Sequence, residues 1–166
     1  TLCLIPMVAN ALKIPVIAAG GIGTGRGMYA ALALGADAVQ IGSRFVTSNE
    51  SSAHENFKNA VVEAKEGDTQ LTLKDVTPVR LIKNEFYQKV AEAYEEGAST
   101  DQLKELLGRG RAKKGMFQGD LVEGELEIGQ ISGLIHAVKP AAEIVDEIIS
   151  EYKTALNELS NDKYNF

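Results

Sequence analysis

The stretch Ile14–Phe45, IPVIAAGGIGTGRGMYAALALGADAVQIGSRF, decides the fold. Val16 to Ala19 is a short, wholly apolar run bounded by Pro15 and Gly20, the pattern of a parallel strand buried on both faces. Gly20 to Gly25 is a glycine-rich turn. Arg26 to Leu34 follows as an Ala-rich helix, stopped by Gly35 at the position where helices commonly end. Asp37 to Ile41 then reads as a second strand and Gly42-Ser43 as a second turn. Strand follows strand after about twenty residues, the period of a β/α unit rather than of a hairpin. Glycines at such strand ends satisfy tight turns that need positive φ. They also let backbone N–H groups approach a ligand, with the positive end of the next helix behind them. The spacing departs from the dinucleotide fingerprint G-x-G-x-x-G. Two glycine turns after adjacent strands instead match the phosphate cradle built late in β/α barrels.

Outward from this core, residues 2–12 carry Leu4, Val8, Ala11 and Leu12 at helical spacing and predict an amphipathic helix ending before Pro15. Beyond Phe45 the pattern changes. Ser51-Ser52-Ala53 leads into a helix reaching about Lys65, and Leu71 to Leu73 suits a short strand. Thr77-Pro78 reads as a helix start, with a hydroxyl at the cap and Pro in the first turn, and the helix is renewed near Asn84. Helices are predicted over 84–96 and 100–108, split by Gly97, the second capped by Ser99 or Thr100. Gly115 to Gly129 is glycine-rich and acidic, hence loop. Gln130 to Val138 is a short helix, Ala141 to Leu159 a long one, and SNDKYNF a frayed tail. Two adjacent strands are read in the stretch Ile14–Phe45, and two apolar parallel strands need neighbours. The expected architecture is therefore α/β: the C-terminal part of a (β/α)8 TIM barrel plus a helical subdomain. Its expected divisions are barrel units over 1–48, a helical lid or insert over 49–137, and a terminal helix and tail over 138–166.

Composition narrows the function. The 166 residues carry a formal charge of −6, against the basic face of a nucleic-acid binder. One cysteine, Cys3, allows no internal disulfide and suits a reducing compartment, so a cytoplasmic location is expected. No run approaches the roughly 18 apolar residues that span a bilayer. The first residues, TLCLIPMVANALKIP, lack the basic start and cleavage site of a signal peptide and read as the middle of a helix. Two distant histidines and one cysteine show no metal-ligand spacing, and no metal is expected.

The run PVIAAGGIGTGRGMYAALALGADAVQIGSRFVTSNESSAH resembles the nitronate monooxygenases, formerly 2-nitropropane dioxygenases, and is similar to their relatives the FMN-dependent enoyl-ACP reductases. The resemblance continues through TPVRLIKN, Gly119-Asp120 and IGQISGLI at 128–135. It implies FMN as cofactor, with Gly20, Gly21 and Gly23 and the run Gln40, Ile41, Gly42 and Ser43 holding its phosphate and ribityl chain. It also implies that Gln130 approaches the flavin region, with Ser132 nearby; the alternative for Gln130 is a helix-terminal residue satisfying backbone groups. The implied reaction is oxidation of alkyl nitronates by dioxygen, with NADH-dependent reduction of enoyl thioesters as the alternative. The family's catalytic histidine is expected before Thr1, in the N-terminal half. A third reading takes the chain as a non-catalytic fragment, or as a module that completes a barrel with a partner or copy. The expected partners are a small-molecule substrate and either a homo-oligomer or the missing half, with no nucleic acid or membrane.

Two further groups have plainer readings. His54, at a helix start, and His136, on a short helix face, suit structural or surface roles. Arg109, Arg111, Lys113 and Lys114 suit a solvated helix end, where cations complement the dipole, or contact with an anionic substrate. Arg80 and Lys83 share that ambiguity.

Overall fold

The computed structural model describes residues 2–160, and the predicted tail lies outside them from residue 161 on. Two compact units divide the chain. One joins the residues up to Glu50 with those from Lys139 onward, and the other spans Ser51–Val138.

The first unit contains α1 (Leu4–Ala11), β1 (Ile17–Ala19), α2 (Gly25–Ala33), β2 (Ala38–Gln40), the short α3 (Ser43–Val46) and α7 (Ala141–Leu159). β1 and β2 pair in parallel, Ile17 opposite Ala38 and Ala19 opposite Gln40. Asp37 helps to set this register: its backbone N–H donates to Val16 O at 2.8 Å. Its carboxylate in turn accepts from the Val16 N–H at 2.7 Å. Ala18 and Val39 pack with Ile5, Ile22, Ala31 and Ala36, so the helices cover one face of the sheet. The expectation of strands buried on both faces holds for that face only. Ile17 is 62% exposed on the other. α7 lies along α2 and buries Ile144, Ile148 and Ala155, and Glu50 caps its start by accepting from the Ala141 N–H at 2.8 Å.

The second unit contains α4 (Glu55–Glu63), β3 (Thr69–Thr72), β4 (Val79–Ile82), α5 (Glu85–Glu95), α6 (Thr100–Leu107), a π-helix (Lys113–Phe117) and a 3-10 helix (Gln130–Leu134). Thr77-Pro78 does not start a helix: it leads into β4, which pairs antiparallel with β3. Val79 to Ile82 alternates along a pleat, and a proline just before a strand withholds no ladder donor. The helix begins instead at Asn84, whose Oδ1 accepts from the Tyr87 N–H at 3.0 Å. The segment 115–129 is likewise more ordered than a loop. It opens inside the π-helix, and residues 126–128 run beside β4, where the Ile82 N–H donates to Leu126 O at 3.0 Å and the Ile128 N–H to Arg80 O at 3.1 Å. This unit is therefore mixed rather than helical. Leu73, Leu81, Phe86, Val90 and Leu103 form a core within it.

Arg111 ties the unit together instead of standing in solvent. Its guanidinium donates to Leu106 O (2.9 Å), Leu107 O (2.8 Å) and Glu123 O (2.8 Å), and lies 4.3 Å from the centre of the Phe86 ring. The helix-end reading holds, since two of these carbonyls close α6, but the side chain is mostly covered. A lysine has no planar fork to reach three carbonyls at once. Replacing Arg111 by Ala is expected to cost about 3 kcal/mol in denaturant unfolding, and by Lys at least about 1 kcal/mol. Unchanged midpoints for both variants would contradict the clamp.

Candidate functional site

The register of β1 and β2 determines what stands at their C-terminal ends. With Ala19 opposite Gln40, the chain leaves the sheet at Gly20 and at Ile41 side by side, neighbouring strands being about 4.8 Å apart. Gly20, Gly21 and Gly23 are thereby brought to the same edge as Gln40, Ile41, Gly42 and Ser43. Gly20 and Gly21 adopt φ of +95° and +73°, a region that side chains rarely tolerate. A Cβ at either would meet nothing within 4 Å, and the same is true at Gly42. Conformation demands glycine at 20 and 21, and the space before both turns is open. Gly23 is buried beside Ile22, at the foot of the first turn. Ser43 opens α3, and Gly42 O accepts from the Phe45 N–H at 2.9 Å.

The start of α2 differs from expectation. Two of its first-turn N–H groups are taken by the chain's own oxygens: Gly27 donates to Thr24 Oγ1 at 3.0 Å and Gly25 to Glu151 Oε2 at 2.6 Å. The dipole end of this helix thus already faces a carboxylate. Nothing local in the sequence signals that contact, which links residues 126 positions apart.

The remaining candidates lie in the second unit. Gln130 is exposed at the first position of the 3-10 helix, while Ser132 is fully buried and its Oγ finds no partner among the described residues. His54 caps α4, its Nδ1 accepting from the Asn56 N–H at 3.1 Å. His136 lies beyond the 3-10 helix, exposed, rather than on its face. Asp120, in the Gly119-Asp120 pair, accepts from the N–H groups of Val122 and Glu123 and pairs with Lys114 at 3.0 Å. These partners, Glu123's amide foremost, hold its carboxyl below the usual range. Lys114 is accordingly engaged within its own loop. Arg80 donates to the backbone and hydroxyl oxygens of Thr69 at 3.2 Å. Among the described residues, no cluster of His, Cys, Asp and Glu could hold a metal ion, and no helix is long and apolar enough to cross a membrane.

The fold and these turns define a β/α segment with paired glycine loops at one strand edge. The chain belongs to the nitronate monooxygenase family, whose model matches residues 1–151. A Staphylococcus saprophyticus protein named "Probable nitronate monooxygenase" is 33% identical over 158 residues, covering 95% of this chain and 44% of that protein. The solved structure of FabK from Thermotoga maritima aligns with TM-score 0.89 at 40% identity, over 96% of this chain and 51% of FabK. A nitroalkane oxidase from Streptomyces ansochromogenes aligns with TM-score 0.76 at 32% identity, over 95% of this chain and 45% of the other. The chain thus spans about half the length of these relatives.

One buried acid escaped the sequence reading. Glu125 and Glu127 alternate with Leu126 along the extended segment beside β4 and so share a face. Glu125 is 7% exposed, and burial, with Glu127's charge adding to it, pushes its carboxyl up to about 7 despite the opposing pull of Arg111. Folded, it keeps its proton to about pH 7, whereas the unfolded carboxyl ionises near 4.5. The folded state therefore binds the extra proton across that window, and stability falls as pH rises through it. Glu125→Gln is expected to flatten this decline and to gain on the order of 2 kcal/mol above pH 7. Thermal melts from pH 5 to 8 test this, and parallel profiles for variant and parent would contradict it.

Proposed function

We propose that the protein carrying this chain is an FMN-dependent enzyme that oxidises alkyl nitronates with dioxygen, and that this chain supplies the phosphate anchor. The observation that carries the reading is the side-by-side exit of two glycine turns from parallel strands, with open space before Gly20, Gly21 and Gly42. Backbone amides there suit a phosphate, which several N–H dipoles stabilise without a counter-charged side chain. Gly20, Gly21 and Gly23 would meet it from one strand, and Gln40, Ile41, Gly42 and Ser43 from the other, the Ser43 hydroxyl being able to donate as well. Gln130 is proposed to reach the flavin region. Bound FMN supplies the electron acceptor; the protein binds, orients and manages the proton.

The base that takes the substrate's α-proton is proposed to lie in the remainder of the protein. His54 is committed to capping α4 and His136 stands exposed beyond the 3-10 helix. The open sheet face around Ile17 supports the same division, since the inner face of a barrel strand is covered by side chains from the other strands. A small-molecule substrate and a cytoplasmic location complete the proposal.

A second reading, FMN- and NADH-dependent reduction of enoyl thioesters, is favoured by a specific observation. The likeness to FabK, at 40% identity, exceeds the 32–35% to the relatives named for nitronate or nitroalkane oxidation. The two readings share the phosphate anchor and differ in what reduces the flavin. Anaerobic mixing of the purified full protein with each reductant separates them. Bleaching of the flavin absorbance by an alkyl nitronate, and not by NADH, is the expected result. Rapid bleaching by NADH alone would transfer the assignment to enoyl reduction.

A further inference from the structure

The contact between α7 and the start of α2 has a consequence for the phosphate. Gly25 sits against the backbone of α7, where a Cβ would collide with Ile148 O and the Tyr152 N. This close approach lets the Glu151 carboxylate reach the Gly25 N–H at 2.6 Å. Neighbouring contacts hold the same pair of helices: the Tyr29 and Tyr152 rings lie 6.0 Å apart, and Arg26 pairs with Glu158 two turns beyond Glu151. The turn from Gly20 to Thr24 is therefore fixed at both ends, by the β1–β2 ladder and by α7.

We propose that Glu151 is a positioning residue for the phosphate cradle. Its carboxylate anchors the first turn of α2 and so holds the Gly20–Thr24 turn in shape. Its negative charge also fills the helix start, where a phosphate dianion would otherwise be drawn. The phosphate is thereby confined to the edge formed by Gly20–Gly21 and Gly42–Ser43. This inference rests on the FMN reading above, which gives the cradle its ligand.

Titrating FMN and riboflavin separately into the full protein, followed by flavin fluorescence, isolates the part of affinity due to the phosphate. The parent protein is expected to prefer FMN. Glu151→Ala removes the anchor and is expected to lose about three- to tenfold of that preference, the range of a lost helix-cap bond, with riboflavin affinity unchanged. Glu151→Gln keeps an acceptor for the Gly25 N–H without the charge, and is expected to bind FMN at least as tightly as the parent. An Ala variant that keeps the full preference, or that loses both ligands equally, would overturn the role of Glu151. Should the Ala variant fail to fold, the Gln variant decides: a tenfold weaker FMN preference there overturns the proposal, and retained or tighter binding supports it. A parent protein indifferent to the phosphate is a separate failure, of the cradle itself.

Discussion

The parallel pairing of β1 with β2 in a single register is the constraint on which the rest of the first unit depends. A parallel ladder sends both strands out at the same edge, so the turns after Ala19 and Gln40 become neighbours although those strand ends are twenty-one positions apart in sequence. Shifting one strand by one residue would turn its Ala18 or Val39 away from the helices and open the apolar cluster shared with Ile5 and Ala31. Burial of that cluster and the Asp37–Val16 exchange of hydrogen bonds therefore hold the register, and the register places the turns. Positive φ at Gly20 and Gly21 then bends the chain out of the strand without side chains crowding the edge.

In the second unit a different logic operates. Its strands are antiparallel, its helices are short, and its closing segment runs irregularly from the end of α6 until residues 126–128 lie beside β4. Such a segment leaves backbone carbonyls without helical or ladder partners, and a buried carbonyl without a donor is costly. Arg111 answers that need at Glu123 O and, from the same planar group, at the last two carbonyls of α6, while Asp120 accepts from two amides of the following turn. The charges the sequence displays near Gly115 are thus largely used for internal order. Glu125 shows the opposite case, a buried carboxylic acid whose ionisation is pushed up to about 7.

The β/α units and the helices over 84–96, 100–108 and 141–159 were legible because their signals are local. An apolar run between Pro15 and Gly20, Gly35 after a helix, and the Ser99–Gln102 capping box each act within a few residues. Thr77-Pro78 misled because a hydroxyl followed by proline suits a helix start and a strand entry equally well. The pairing with Thr69–Thr72, itself only partly read as a strand, decided between them. Residues 126–128 were hidden for the same reason, since their ordering comes from β4, more than forty positions earlier. The paired glycine turns could be read from sequence, yet the anion at the start of α2 could not. Glu151 carries no mark that distinguishes it from the other acids of α7, and only the packing of α7 on Gly25 selects it.

Amides from two adjacent strand ends are proposed to converge on one phosphate, and a crystal structure of the full protein grown with FMN shows whether they do. Phosphate density is expected between Gly20–Gly21 and Gly42–Ser43, with Glu151 still bonded to the Gly25 N–H. Density for the phosphate at any other edge of the molecule, with these two turns bare, would contradict it.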